Sequence, residues 1–297
     1  MGNNNTLKGV ILVGLGAASY GLLATFVKLA YAEGYTTAEV TASQMALGIL
    51  SVSLINLFRK NKTTEATKAT GKNKLYLMLA GTSTGFTSVF YYLGVKYIPV
   101  SVGIVLLMQS VWMGVLAEWM ITKQPPTLKK ILAVLVVLGG TVLATNLINA
   151  DEMPDWRGIA WGMAAALSYT ITMFAGNRIA VNLPAPKRSL FMLLGGAVVV
   201  LTFTAITWPG YFNFQILYTW GIPLSLFGTL LPPLFMNAGF PKVSMGLGSI
   251  VSAIELPVSV TMAYIFLHET VSNTQWAGIT LILAAIVLMN ISLKRKA

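Results

Sequence analysis

Val243–Glu269 reads VSMGLGSIVSAIELPVSVTMAYIFLHE, with one acid, Glu255, near its middle. Its run of about 25 apolar or small residues is long enough to cross a bilayer. On a helical period Ser244, Gly248, Ser252, Glu255, Ser259 and Met262 share one face, and Ile, Val, Leu and aromatic residues fill the other. Pro257 has no amide to give the carbonyl of Ala253, so the backbone is loosened next to the acid. A charge at mid-bilayer costs roughly 2.5–3.5 kcal/mol on insertion scales, and such groups face a cavity or a partner. The stretch is therefore expected to wall a site. The competing reading is a protonated Glu255 bonded to a neighbouring helix, with the serines as close-packing positions.

Composition agrees with a membrane setting. Of 297 residues, 56% are hydrophobic and 10% charged, with a mean hydropathy of +0.73; soluble domains carry about 25% charged residues. There is no cysteine, which excludes disulfides, thiolate metal sites and a Cys nucleophile and leaves the redox compartment open. The net charge of +11 sits in short loops, so it speaks for membrane orientation rather than nucleic acid. The apolar run from Gly9 to Tyr31 exceeds a signal-peptide core of about 7–15 residues and reads as a retained helix.

Ten apolar segments follow, near 9–32, 36–58, 75–96, 100–122, 128–148, 158–181, 188–208, 216–238, 243–268 and 274–293. With the N-terminus inside, all basic residues except Lys28, Lys96 and Arg157 fall on the inner side, which places both termini in the cytoplasm. The Arg59–Lys74 loop reads as a flexible cytoplasmic linker. Lys8, Gly9 and Ala17–Tyr20 return as Arg157, Gly158 and Ala166–Tyr169; Val100–Gly103 returns as Val243–Gly246. Five helices per unit is an odd number, so the second unit must be inverted. The expected fold is all-α and polytopic: a first repeat over 1–148, an external connector over 149–156 and an inverted repeat over 157–297.

Pro257 within the ninth segment, Glu269 closing it, and Gln275, Trp276 and Gly278 opening the tenth make the chain resemble EamA-type members of the drug/metabolite transporter superfamily. The resemblance spans all ten segments. It implies a bacterial inner-membrane carrier without ATP hydrolysis, often an exporter of amino acids or small metabolites. A central cavity would be lined by helices of both halves, with the fifth and tenth helices peripheral. The first half departs from the pattern, with Val111 near the Pro position and Lys123 at the closing Glu.

Inverted symmetry brings the segment centres to one midplane. Candidate cavity residues are Tyr20 and its repeat mate Tyr169, Gln44, Tyr91, Gln109, Trp112, Asn237, Ser252 and Glu255. Gln109 is taken as the counterpart of Glu255 at an offset near 146, an amide opposite an acid. Glu118 is expected to pair with Lys123 at the interface. Pro232 and Pro233, which free the carbonyls of Gly228 and Thr229, are candidate hinges together with Pro257. The only histidine, His268, makes no metal cluster, and no phosphate loop exists, so neither metal nor other cofactor is expected.

These features point to an alternating-access carrier of small, neutral or aromatic metabolites, with the bilayer and a small-molecule substrate as partners. Glu255 is the candidate proton-coupling acid. An uncoupled uniporter or drug efflux carrier is the alternative. An intramembrane enzyme would need a nucleophile–base pair or metal ligands that are missing here. Single cysteines at Asn61 and Ala150 are expected to label from opposite membrane faces; labelling from one face would break the topology.

Overall fold

The computed structural model describes residues 3–58, 70–94, 96–98, 100–145, 155–208, 210–268 and 270–294. Most of the Arg59–Lys74 loop, the 149–156 connector up to residue 154, Glu269, and the labelling positions Asn61 and Ala150 lie outside the described residues. Among the described residues all regular structure is helical, and each of the ten apolar segments coincides with helix.

Seven stretches are long and apolar enough to cross a membrane: α1 (Asn3–Ala32), α2 (Thr37–Phe58), α4–α5 (Val100–Leu107, Ser110–Thr122), α7 (Trp156–Arg178), α8 (Ala185–Ile206), the stretch Gly221–Lys242, and α12–α13 (Met245–Ser252, Glu255–Phe266). The other three helices are less apolar or shorter. In α3 (Gly71–Gly94), Thr82, Ser83, Thr84, Thr87 and Ser88 dilute the hydropathy. α6 (Leu128–Ala144) has 17 residues, and α14 (Asn273–Lys294) counts as apolar only over Asn273–Met289.

The fourth and ninth segments, expected as continuous helices, are each broken. At Gln109 and at Ile254 the backbone takes φ −60°, ψ −20°, and the amides turn to the third rather than the fourth preceding carbonyl. Gln109 N–H donates to Leu106 O (3.0 Å) and Ile254 N–H to Val251 O (3.2 Å). In the second break the Ala253 carbonyl, left without an amide by Pro257, accepts from Leu256 N–H (3.2 Å). The eighth segment divides too, into α9 (Ile216–Thr219), α10 (Gly221–Ser225), a π-helical turn (Leu226–Leu230) and α11 (Leu231–Gly239). Pro232 and Pro233 lack the amides that would continue the α ladder at that point, and the Leu231 amide reaches back five residues to Leu226 O.

Matching features recur at two offsets. At 149, Gly9 and Gly158 stand in corresponding contacts: Gly9 lies against Gly239 and Val243, Gly158 against Gly94 and Ile98. Those contacting residues are themselves 145 apart. So are the breaks at Gln109 and Ile254, the left-handed residues Lys123 (φ 58°) and His268 (φ 52°), and the hydroxyls of Thr127 and Ser272, which accept from Lys130 N–H and Gln275 N–H. Lys123 thus corresponds to His268 rather than to Glu269. The change from 149 to 145 falls between α2 and α3, where the first half has the longer connection.

Glycines set the closest helix crossings. α3 meets α8 through Gly81 against the Met192 backbone, Gly195 against the Met78 carbonyl and Gly85 against Gly196. α1 crosses α13 at Gly21, against the Glu255 carbonyl and Val258. Contacts of this kind let helices pack by backbone approach where no hydrophobic force separates them from lipid.

The bundle has two ends. One gathers Arg188, Asn177, Phe240 and Ser244. Arg188, 1% exposed, donates to the carbonyls of Ile179 (3.1 Å), Asn237 (2.7 Å), Ala175 (3.2 Å) and Gly176 (2.6 Å). Asn177 Nδ2 bridges the carbonyls of Phe240 and Val243, and the Phe240 ring is wedged between Gly176 and Gly248. Here Glu118 pairs not with Lys123 but with Lys130 (2.7 Å), while its other oxygen accepts from Gly246 N–H (2.7 Å) at the start of α12. A carboxylate suits a helix N-terminus. At the opposite end Glu39, 2% exposed, accepts from the Thr36 amide and hydroxyl and from Asn213 N–H. Thr36 and Glu39 form a capping box, and 149 residues separate Glu39 from Arg188.

Two expectations follow from this packing. Gly81→Ala or Gly195→Ala should lower the detergent melting temperature, since a Cβ would meet backbone that cannot yield. Gly139→Ala, on an open face, should gain about 0.5–1 kcal/mol; equal behaviour of all three would refute the close approach. Arg188→Ala should lose about 2–4 kcal/mol, in the range for stripping a buried polar network. Lys at 188 should recover only part of it, because one ammonium cannot fan out to four carbonyls. A melt like wild type would refute the latch.

Candidate functional site

The site is built where the α12–α13 break sets Glu255 at the first position of α13. Its backbone packs on Gly21 of α1. Tyr20 from α1 and Tyr169 from α7 pack beside it with Ala253 and Leu256, and Tyr91 from α3 lies within range of its charge. The Tyr169 hydroxyl lies beside both Glu255 and Ser252, yet without the geometry of a formed hydrogen bond. Among the described residues Glu255 Oε2 and the Tyr169 hydroxyl are buried atoms with no hydrogen-bond partner. Ser252 turns its own hydroxyl to the Gly248 carbonyl (2.9 Å).

Toward the Arg188 end the space narrows to a cavity of ≈ 30 Å³ lined by Tyr20, Tyr169, Met173, Met236, Asn237 and Phe240, with Thr84 and Thr172 on its wall. That is room for about one water. Asn237 is locked there: its amide donates to Ser189 Oγ (3.0 Å), which in turn donates to the Pro233 carbonyl (2.8 Å). Toward the Glu39 end, accessibility is higher. Tyr169, Met173, Met236 and Asn237 are buried, whereas the residues standing at the same places in the other half, Tyr20, Ala24, Tyr91 and Tyr92, are half-buried. Glu255 is half-buried as well, although its Oε2 is fully covered.

Tyr20, Tyr91, Tyr169, Ser252 and Glu255 thus come together, and Asn237 lines the adjoining cavity. Gln109 and Trp112 are spent on each other. The break leaves the Val105 carbonyl without its amide; Gln109 Nε2 donates to it (3.1 Å) and Gln109 Oε1 accepts from the Trp112 indole (2.9 Å). Gln44 lies over Gly228 of the π turn, and its carbonyl accepts from Thr229 Oγ1 (2.8 Å). It is a packing partner of the eighth segment. The offset of 145 makes Ser110, not Gln109, the counterpart of Glu255, and Trp112, not Val111, the counterpart of Pro257. Ser110 Oγ is buried and, among the described residues, has no partner. Arg188, Glu39 and Phe240 were not anticipated. The Thr36–Glu39 capping box and the 149-residue spacing were the available signals.

A family model described as the EamA-like transporter family matches residues 7–146 and again 156–291. An uncharacterized transporter, sll1319, from the Synechocystis strain PCC 6803 is 24% identical over 206 residues, which cover 68% of this chain and 62% of the relative. The chain therefore spans less than two thirds of the length of that curated relative. A protein known from its crystal structure superposes with a TM-score of 0.76 at 15% identity, over 98% of this chain and 99% of the other; at that identity the likeness concerns the fold alone. With both matches of the family model together spanning nearly all of it, this chain belongs to the EamA-like transporter family.

Proposed function

We propose that the protein is a secondary carrier that moves small metabolites, such as neutral or aromatic amino acids, out of a bacterial cell across the inner membrane by alternating access. In this reading ten helices span the bilayer as two inverted units, 1–148 and 157–297, joined by the 149–156 connector, with both termini and the Arg188 end in the cytoplasm. The paired features at offsets of 149 and 145 and the two separate matches to the family model support the division. The distribution of basic residues supports the orientation. Membership of a transporter family favours a carrier over an enzyme.

The observation that carries the reading is the unequal accessibility of corresponding residues around Glu255. Two like halves, one sealed below the acid and the other accessible above it, are what a carrier waiting on its outer side would present. Opening the inner side would then require release of Arg188 and Phe240, with the π turn before Pro232 and Pro233 and the break before Pro257 as the flexing points. Glu255 would exchange a proton with the solvent as substrate enters or leaves, which couples the cycle to the proton gradient.

Counterflow in proteoliposomes with a panel of labelled amino acids tests this, since it needs no driving gradient. Wild type should exchange at least one of them. Glu255→Gln should keep that exchange and lose accumulation driven by a pH gradient. If wild type and variant respond to pH alike, the coupling role falls; if no solute of any class exchanges, the carrier reading falls.

A further inference from the structure

We propose that the Glu255 site prefers an organic monocation, an aromatic amine that lacks a carboxylate, over a zwitterionic amino acid or an anion; this rests on the carrier reading and, among small metabolites, favours amines over the amino acids named there. The first ground is the balance of charge. Of the interior acids, Glu39 is used by Thr36 and Asn213 and Glu118 by Lys130 and Gly246. Glu255 keeps a buried oxygen whose neighbouring donor, the Tyr169 hydroxyl, is neutral and not aligned for a hydrogen bond. A buried acceptor of this kind is costly to leave unmade, and an ammonium group, with three donors and no acceptor, is the complement it lacks.

The second ground is what a ligand carboxylate would meet. The interior guanidinium, Arg188, is covered by four backbone carbonyls on the far side of the small cavity. The other charged residues of elements packed on α13 stand away from the acid: Lys8 is near the start of α1 and Lys28 is exposed two turns outward along it, Lys129 and Lys130 are in the first turn of α6, and Lys294 is the last residue of α14. At the level of Glu255 itself a ligand carboxylate would face another carboxyl group, with the neutral Tyr169 hydroxyl rather than a cation as its donor. The third ground is the ring set. Tyr20 and Tyr169 line the cavity next to the acid and pack with Ala253 and Leu256 on either side of it, and Tyr91 on α3 senses its charge. Phenol faces attract cations through the ring quadrupole and stack on an aromatic body, so acid and rings together recognise both parts of an aromatic amine.

Four ligands of similar size separate the possibilities: phenethylamine, phenylalanine, phenylacetate and 2-phenylethanol, each titrated against the purified full-length protein by equilibrium binding. Phenethylamine should bind about ten- to hundredfold tighter than the other three, the range of one charge-assisted contact. Glu255→Gln should abolish the preference, and Glu255→Asp should keep it. Equal or tighter binding of phenylalanine or 2-phenylethanol by wild type would overturn the inference, as would a preference that survives in a folded Glu255→Gln. Counterflow of phenylalanine without amine binding would overturn the inference and leave the carrier reading standing. Selective amine binding with no counterflow of any solute would uphold the site and remove the carrier.

Discussion

Inside a bilayer a polar or ionisable group finds no water, so its partners must come from the protein. The chain meets this demand at three charged positions with bonds that leave little over. Glu39 closes a capping box and reaches Asn213. Arg188 fans onto four carbonyls, and Glu118 joins Lys130 to the start of α12. Glu255 is the exception. Its buried oxygen lies beside the buried Tyr169 hydroxyl, and neither has an aligned hydrogen bond. Unmade bonds to buried groups cost about 1–3 kcal/mol each. In the proposed carrier the substrate would meet the acid at this place.

Much of this could be read beforehand. Length and hydropathy marked the ten helical segments to within a few residues, and the recurrence of Tyr20 as Tyr169 put two of the three rings in corresponding places. The prolines marked where the backbone would yield, although not how: the eighth segment answers with a π turn and the ninth with a full break. The register of the first half was not legible. Two short matches at offsets of 149 and 143 suggested a value near 146, whereas the breaks lie 145 apart. One residue is about 100° of helix, enough to replace Ser110 by Gln109 and to turn an amide that mends the break into an apparent partner of the acid. Arg188 was hidden for another reason. Next to Lys187 at the head of a segment it looks like any interfacial cation, and only tertiary packing carries α7 and α11 over it.

The two halves repeat the same backbone events with different side chains, and those differences decide which end is sealed. Both halves approach through a glycine on the first helix, Gly9 or Gly158, against the loop before a broken helix. Beyond that contact the sealed end has Met173, Met236, Asn237 and the Phe240 wedge. The other end has Ala24, Tyr91 and Tyr92 at the corresponding places, and Tyr91 meets Tyr92 edge to face. A small Ala24 where the partner half has methionine leaves space. The tyrosines fill part of it with rings that have polar tips, which tolerate water where methionine and phenylalanine do not. In the proposed carrier this difference would keep one end dry and leave the other accessible.

Glu39 and Arg188 occupy corresponding helix starts and carry opposite charges, yet each is satisfied by groups of its own end, most of them backbone. Had either end been closed by an ion pair between helices, opening would have separated two charges before water could reach both, and that separation is steep in a low dielectric. A charge held by carbonyls or amides is different. As the helices part, each lost bond can be replaced by one to water entering the gap, and the net difference per exchanged bond is only about 0.5–1.5 kcal/mol. Such a latch is exacting in geometry while closed and inexpensive to release toward an aqueous side, but not toward lipid. It suits a bundle whose ends, in the proposed cycle, open in turn to water while the acid between them stays enclosed by tyrosines.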